Sequence, residues 1–118
     1  MTSGSKAAPF DQFRWSKRVL VVVAPPDDPA GEAQRQIYQR AAKGMSERAI
    51  VLVEARDESA RSRQIRASLS TDGKRFRVFL IGKDGNTAIA SDKPLAADDL
   101  FGRVDAMPMR RDEMQRGR

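Results

Sequence analysis

Five apolar residues in a row, Val19 to Val23, stand inside the stretch "RVLVVVAPP". A strand with one face in water alternates apolar and polar residues, whereas a run without alternation is buried on both faces. The valines favour a strand over a helix, and Pro25 and Pro26 end it. A strand covered on both faces needs helices on both sides of its sheet. This one segment therefore predicts a layered α/β protein with the strand at its centre.

The rest of the chain supplies the layers. In "DDPAGEAQRQIYQRAAKG", Asp28 is a good N-cap and Pro29 suits the first helical position. Ala30, Ala33, Ile37 and Ala41 then fall on one inward face, and Gly44 is a C-terminal stop. "RAIVLVEAR" is a second strand, with Ile50 to Val53 as its core. Strand, helix and strand at this length predict parallel pairing through a right-handed crossover. "DESARSRQIRASLS" is a weaker helix, capped by Asp57, with Ala60, Ile65 and Leu69 inward. "RFRVFLIG" alternates: Phe76, Val78 and Leu80 on one face, Phe79 and Ile81 on the other. "GKDGN" is a hairpin signal, and "TAIAS" returns antiparallel from it. "AADDLFGRVDAM" is a closing helix with Leu100, Val104 and Met107 inward; Pro108 ends it and begins a final short turn, "PMRRDEMQR". Phe10, Phe13 and Trp15 are expected to close one edge of the core, with a ligand-stacking platform as the lesser alternative.

The order β-α-β-α-β-β-α is that of the thioredoxin fold: an α/β, three-layer sandwich around a four-stranded mixed sheet with the first strand central. One domain is expected over residues 10–114, with flexible tails at 1–9 and 115–118. In that fold the working site lies where the first strand meets the first helix, here "APPDDPAG". Redox members place cysteines there, because the helix N-terminus stabilises a thiolate. They also place a cis-proline before the third strand, where this chain has Ser70-Thr71-Asp72-Gly73.

The chain has no cysteine and no histidine. That removes disulfides, thiol redox chemistry and His-based triads, and it argues against a zinc site. No catalytic residue, cofactor or metal ligand is expected. The net charge of +6 is interspersed, as in "EARDESARSR", and reads as solvated surface. No apolar run approaches the roughly 20 residues of a membrane span. "MTSGSKAAPF" lacks an apolar core, so the chain as written is expected in the cytoplasm, or in the periplasm or outside the cell if a leader has been removed.

Three segments, "RWSKRVLVVVAP", "FRVFLIGKDG" and "LFGRVDAMPMRRDEM", together resemble the DUDES-type, peroxiredoxin-like family of unknown function. Its bacterial members are small single domains, and relatives form C-terminal domains of animal extracellular proteins such as the sushi-repeat-containing ones. The resemblance implies a thioredoxin-like fold and brings no catalytic residues. The family often carries a basic residue in the strand after "GKDG", where this chain has "NTAIAS".

Three groups of residues are candidates for interaction. Arg110 and Arg111 either clasp the end of the closing helix, pairing with Asp105 while Met107 and Met109 pack, or hold a carboxylate or phosphate. Lys83 and Asp84 at the hairpin tip serve the turn or a contact. Asp27 and Asp28, approached by Glu54, Arg56 and Asp57, form caps and salt bridges or a site for a hard cation. The leading reading is a non-catalytic binding or scaffold domain whose partner is a protein of unknown identity. The alternatives are an enzyme using carboxylates or arginines in the "APPDD" cleft, and a nucleic-acid binder. The last is disfavoured because aromatics make up only 6% of the chain and read as buried.

Overall fold

A computed structural model describes residues 8–117. The elements in chain order are α1 (Ala8–Asp11), β1 (Arg18–Val23), α2 (Pro29–Arg40), α3 (Ala42–Glu47), β2 (Ile50–Ala55), α4 (Ala60–Ser68), β3 (Arg77–Ile81), β4 (Thr87–Ser91), α5 (Ala97–Asp105) and α6 (Pro108–Arg116). The sheet order is β2-β1-β3-β4. Strand β1 pairs parallel with β2, placing Val21 opposite Val53, and antiparallel with β3, placing Val21 opposite Phe79. Strands β3 and β4 form the hairpin, with a register shift between Leu80 and Ile81. This is the expected fold class: a four-stranded mixed sheet with helices on both faces and the valine strand at its centre.

All six residues of β1 are buried, and the five apolar ones divide between two cores. Leu20, Val22 and Ala24 join Phe76, Val78, Leu80, Leu100 and Val104 beneath α2, α3 and α5. Val19, Val21 and Val23 join Val53, Phe79, Ile81 and Ile65 beneath α4, with Phe10 and Phe13 packed at the margin. The alternation read in "RFRVFLIG" is the one observed. Each fully buried aliphatic side chain contributes about 1.5–3 kcal/mol relative to exposure, so the two-sided strand is the chief anchor of the molecule.

Several local expectations are corrected. Asp28 caps α2, its carboxylate accepting from the Ala30 N–H at 2.8 Å, with Pro29 first in the helix. The buried face, however, runs through Gly31, Gln34, Tyr38 and Ala41; Ala33 is exposed. The face turned because both polar atoms of the Gln34 amide find a partner. It donates to the Leu95 carbonyl at 3.0 Å and accepts from the Leu95 N–H at 2.7 Å, so a buried amide costs little there. Gly44 does not end the helix. It lies inside α3, where a Cβ would sit 2.6 Å from the Phe101 ring, so it is a close-approach residue. In α4 the inward residues are Ser62, Ile65 and Leu69, and Ala60 is exposed. The N-cap there is Ser59, which accepts from the Ser62 N–H at 3.1 Å. Asp57 braces the cap by accepting from the Ser59 N–H and the Ser62 hydroxyl. The final "turn" is the helix α6. Trp15 does not close the core; it is 61% exposed.

Candidate functional site at the hairpin end

The β3–β4 hairpin is built by its own sequence. Gly85 has φ +89°, a conformation glycine adopts without strain. The Gly85 N–H donates to the Gly82 carbonyl at 2.9 Å, and the Gly82 N–H to the Asn86 carbonyl at 2.8 Å. Asp84 serves the turn, accepting from the Asn86 N–H at 3.0 Å. Trp15 is held against this hairpin: its N–H donates to the Lys83 carbonyl at 2.7 Å. Its φ of +69° is a strained left-handed conformation for a bulky residue, of order 1–3 kcal/mol. The Arg14 guanidinium lies 5.5 Å from the indole centroid. Among the described residues, the large apolar side chains classed as exposed are Trp15 and Met109. Both border the hairpin. Met109 lines a groove of about 350 Å³ between the hairpin and the α5–α6 corner, together with Lys83, Asp84, Ala88, Arg103 and Met107. A wider groove of about 760 Å³ on the opposite flank runs between Arg14, Leu69, Ile81 and Gly85.

Beneath the hairpin lies an ion-pair network. Arg18, the first residue of β1, has a side chain only 1% exposed. It donates to both carboxylate oxygens of Glu113 at 3.2 Å and to the Arg48 carbonyl at 2.7 Å. Its Nε is buried and has no acceptor. Lys83 donates to Glu113 at 2.6 Å. Arg48 grips Asp105 with two bonds of 3.0 Å and stacks 4.0 Å above the Phe101 ring. Arg110 donates to Asp105 at 3.2 Å and to the Glu47 carbonyl at 3.0 Å. Burial pushes the Glu113 carboxyl up, but the Lys83 and Arg18 bonds outweigh it and hold it below its ordinary value. The Arg48 bond leads in holding Asp105 down, against burial and with Arg110 assisting. The network sets four cations, Arg18, Arg48, Lys83 and Arg110, against two carboxylates, a surplus of two positive charges.

The other end of β1 is arranged differently. Arg35 pairs with both oxygens of Glu54 at 3.0 Å, and Arg56 reaches Glu54 at 3.3 Å. Arg56 also donates to the Pro26 carbonyl at 2.7 Å, tying down the loop that follows β1. Its guanidinium packs on Gly31, where a Cβ would lie 2.8 Å away. The cleft of about 310 Å³ above this lattice is open and mostly polar. Asp57, lined up there, is lowered to about 2, first by the Ser62 hydroxyl and then by Ser59. A carboxylate that acidic is a poor general base near neutral pH. Among the described residues no three acidic side chains converge to hold a metal ion.

The six candidate residues therefore separate. Lys83, Asp84 and Arg110 meet at the hairpin end. Arg111 is on the same helix, but it is exposed, and its bond is the backbone one to the Met107 carbonyl at 3.0 Å. Asp28 is an N-cap and Asp27 is exposed, both at the far end of β1. Met107 packs on the core, while Met109 is 36% exposed rather than packed. Three residues at the hairpin end escaped the sequence reading, Arg18, Glu113 and Arg103, while Trp15 was read chiefly as core and is exposed. Arg18 had a signal, being a charge at the mouth of an otherwise apolar strand. Glu113 had none.

Among the described residues no helix is long and apolar enough to cross a membrane. A family model described as "Domain of unknown function (DUF4174)" matches residues 9–113. No curated protein matches the chain.

Proposed function

The chain belongs to this family of domains of unknown function, and from that premise we propose that it is a non-catalytic, thioredoxin-like binding module working through its hairpin end. The relationship to DUDES-type, peroxiredoxin-like domains, and through them to the C-terminal domains of sushi-repeat-containing proteins, is part of the same proposal. The observation that carries it is that two exposed large apolar side chains, Trp15 and Met109, both border one hairpin. Tryptophan, methionine and arginine are the residue types over-represented in interfaces, and an exposed tryptophan held in a strained backbone is costly unless used. The far end of β1 supports the reading from the other side. Where a thioredoxin-like enzyme keeps its reactive residues, Arg56 and Glu54 form a closed ion-pair lattice.

The test is turnover. Purified protein, offered a protein disulfide, hydrogen peroxide, and chromogenic esters and phosphates, is expected to give no rate above buffer. Turnover that survives purification and disappears with Glu54→Gln would replace the binding module with an enzyme in the "APPDD" cleft.

A further inference from the structure

The partner's chemistry can be read from the same surface, and this step rests on the hairpin-end reading. We propose that the groove between β4 and the α5–α6 corner takes an extended acidic segment of a partner protein, added as a strand to the free edge of β4.

Two independent observations carry this. The first is the edge. Strand β4 pairs with β3 on one side and is the last strand in the sheet order. Natural edge strands are blunted by lysine, proline or inward charges. Here the five residues Thr87–Ser91 read Thr-Ala-Ile-Ala-Ser, with no charge and no proline. The backbone groups on the outer side of such a strand are a template for another chain, and main-chain pairing of this kind is a standard mode of peptide recognition. The groove opens at the start of that strand, lined by Thr87 and Ala88.

The second observation is charge. The network behind the groove sets four cations against two carboxylates, and one of those cations, Lys83, is both a member of the network and a wall of the groove. Across from it, Arg103 is exposed on α5 and makes no hydrogen bond or ion pair among the described residues. Asp84 opposes them with one negative charge, and its carboxylate is already held by Asn86. The charged residues lining the groove are two positive, Lys83 and Arg103, against one negative, Asp84, so it favours carboxylates and disfavours a second copy of this +6 chain. Met107 and Met109 give the groove an adaptable apolar wall for the side chains between those carboxylates.

Trp15 is the chain's one tryptophan, so its emission reports on the hairpin directly. The experiment pans a library of random linear peptides on the intact protein, then titrates the enriched peptides while following Trp15 emission and backbone amide shifts. Enriched sequences are expected to be rich in Asp and Glu. They should shift the amides of Thr87–Ser91 and Lys83, change the Trp15 emission, and lose tenfold or more in affinity on Arg103→Glu, an exposed substitution that leaves the fold intact. Enrichment of basic or uncharged peptides overturns the proposal, as does binding that Arg103→Glu does not touch. A single-stranded oligonucleotide or inorganic phosphate binding the groove as tightly as the peptides also overturns it, as does self-association through β4. Peptides that bind at another surface overturn the groove while leaving a binding module standing. Only turnover removes the module itself.

Discussion

Adjacent arginines in "MPMRR" have different fates. The Arg110 side chain is 13% exposed and ties α6 to Asp105 and to the Glu47 carbonyl, whereas Arg111 points to solvent. Removing a charge-assisted bond from a mostly buried donor costs about 1–3 kcal/mol. Arg110→Ala is therefore expected to lower unfolding stability by that amount. Arg111→Ala should leave it within about 0.5 kcal/mol, the usual range for a free surface position. Urea denaturation of the two variants separates them, and equal effects would contradict the geometry. Sequence alone offered both residues the same two roles, clasp or recognition. One helical residue step is a turn of about 100°, and which arginine faces Asp105 depends on how Pro108 sets the start of α6.

Helix α6 has no buried residue, so no apolar face holds it. It is fastened by Glu113 to Arg18 and Lys83, and by Arg110 to Asp105. Glu113→Gln would leave the Arg18 guanidinium buried without its counter-charge. Breaking a buried pair from one side costs about 3–5 kcal/mol, and the 24% exposure of Glu113 reduces that to about 2–3 kcal/mol. Hydrogen exchange is expected to show α6 amides losing their protection while β1 and β3 keep theirs. Uniform loss across the sheet would mean that α6 is part of the global unit. The elements readable in advance were those with a clear apolar pattern or turn signal: the unbroken run of β1, the apolar core of β2, the alternation of β3, the hairpin return of β4 and the helical period of α5. The helix faces of α2 and α4 were misplaced because polar residues occupy them. Gln34 is buried through bonds to the Leu95 backbone and Ser62 through a bond to Asp57, and no hydrophobicity pattern records such partners.

For the whole molecule, the absence of histidine leaves no side chain with an ordinary pKa between about 5 and 8. Stability is expected to be flat across that range. Below it, Asp57, Asp105 and Glu113 are all depressed in the folded state. A depressed carboxyl contributes stability that is present above its unfolded value and lost as pH falls through its folded value. The unfolded values are near 3.8 for aspartate and 4.5 for glutamate, and Asp57 folds at about 2, so the loss falls in that acid window. Urea midpoints measured from neutral pH into that window should be level and then drop, and Glu113→Gln should make the drop shallower. The network holds several of these groups at one end of the sheet, which the linear sequence scatters from Arg18 to Glu113. That scatter is why the fold was legible while the candidate site was not.

The Arg18–Glu113 pair also orders events during synthesis. The two residues are 95 positions apart, and every strand of the sheet is made between them. Arg18 leaves the ribosome at the head of β1, and its carboxylate partner follows only after β4 and α5. Until then the guanidinium has the Arg48 carbonyl but lacks its counter-charge, so the head of the central strand is neutralised only when the last helix has been made.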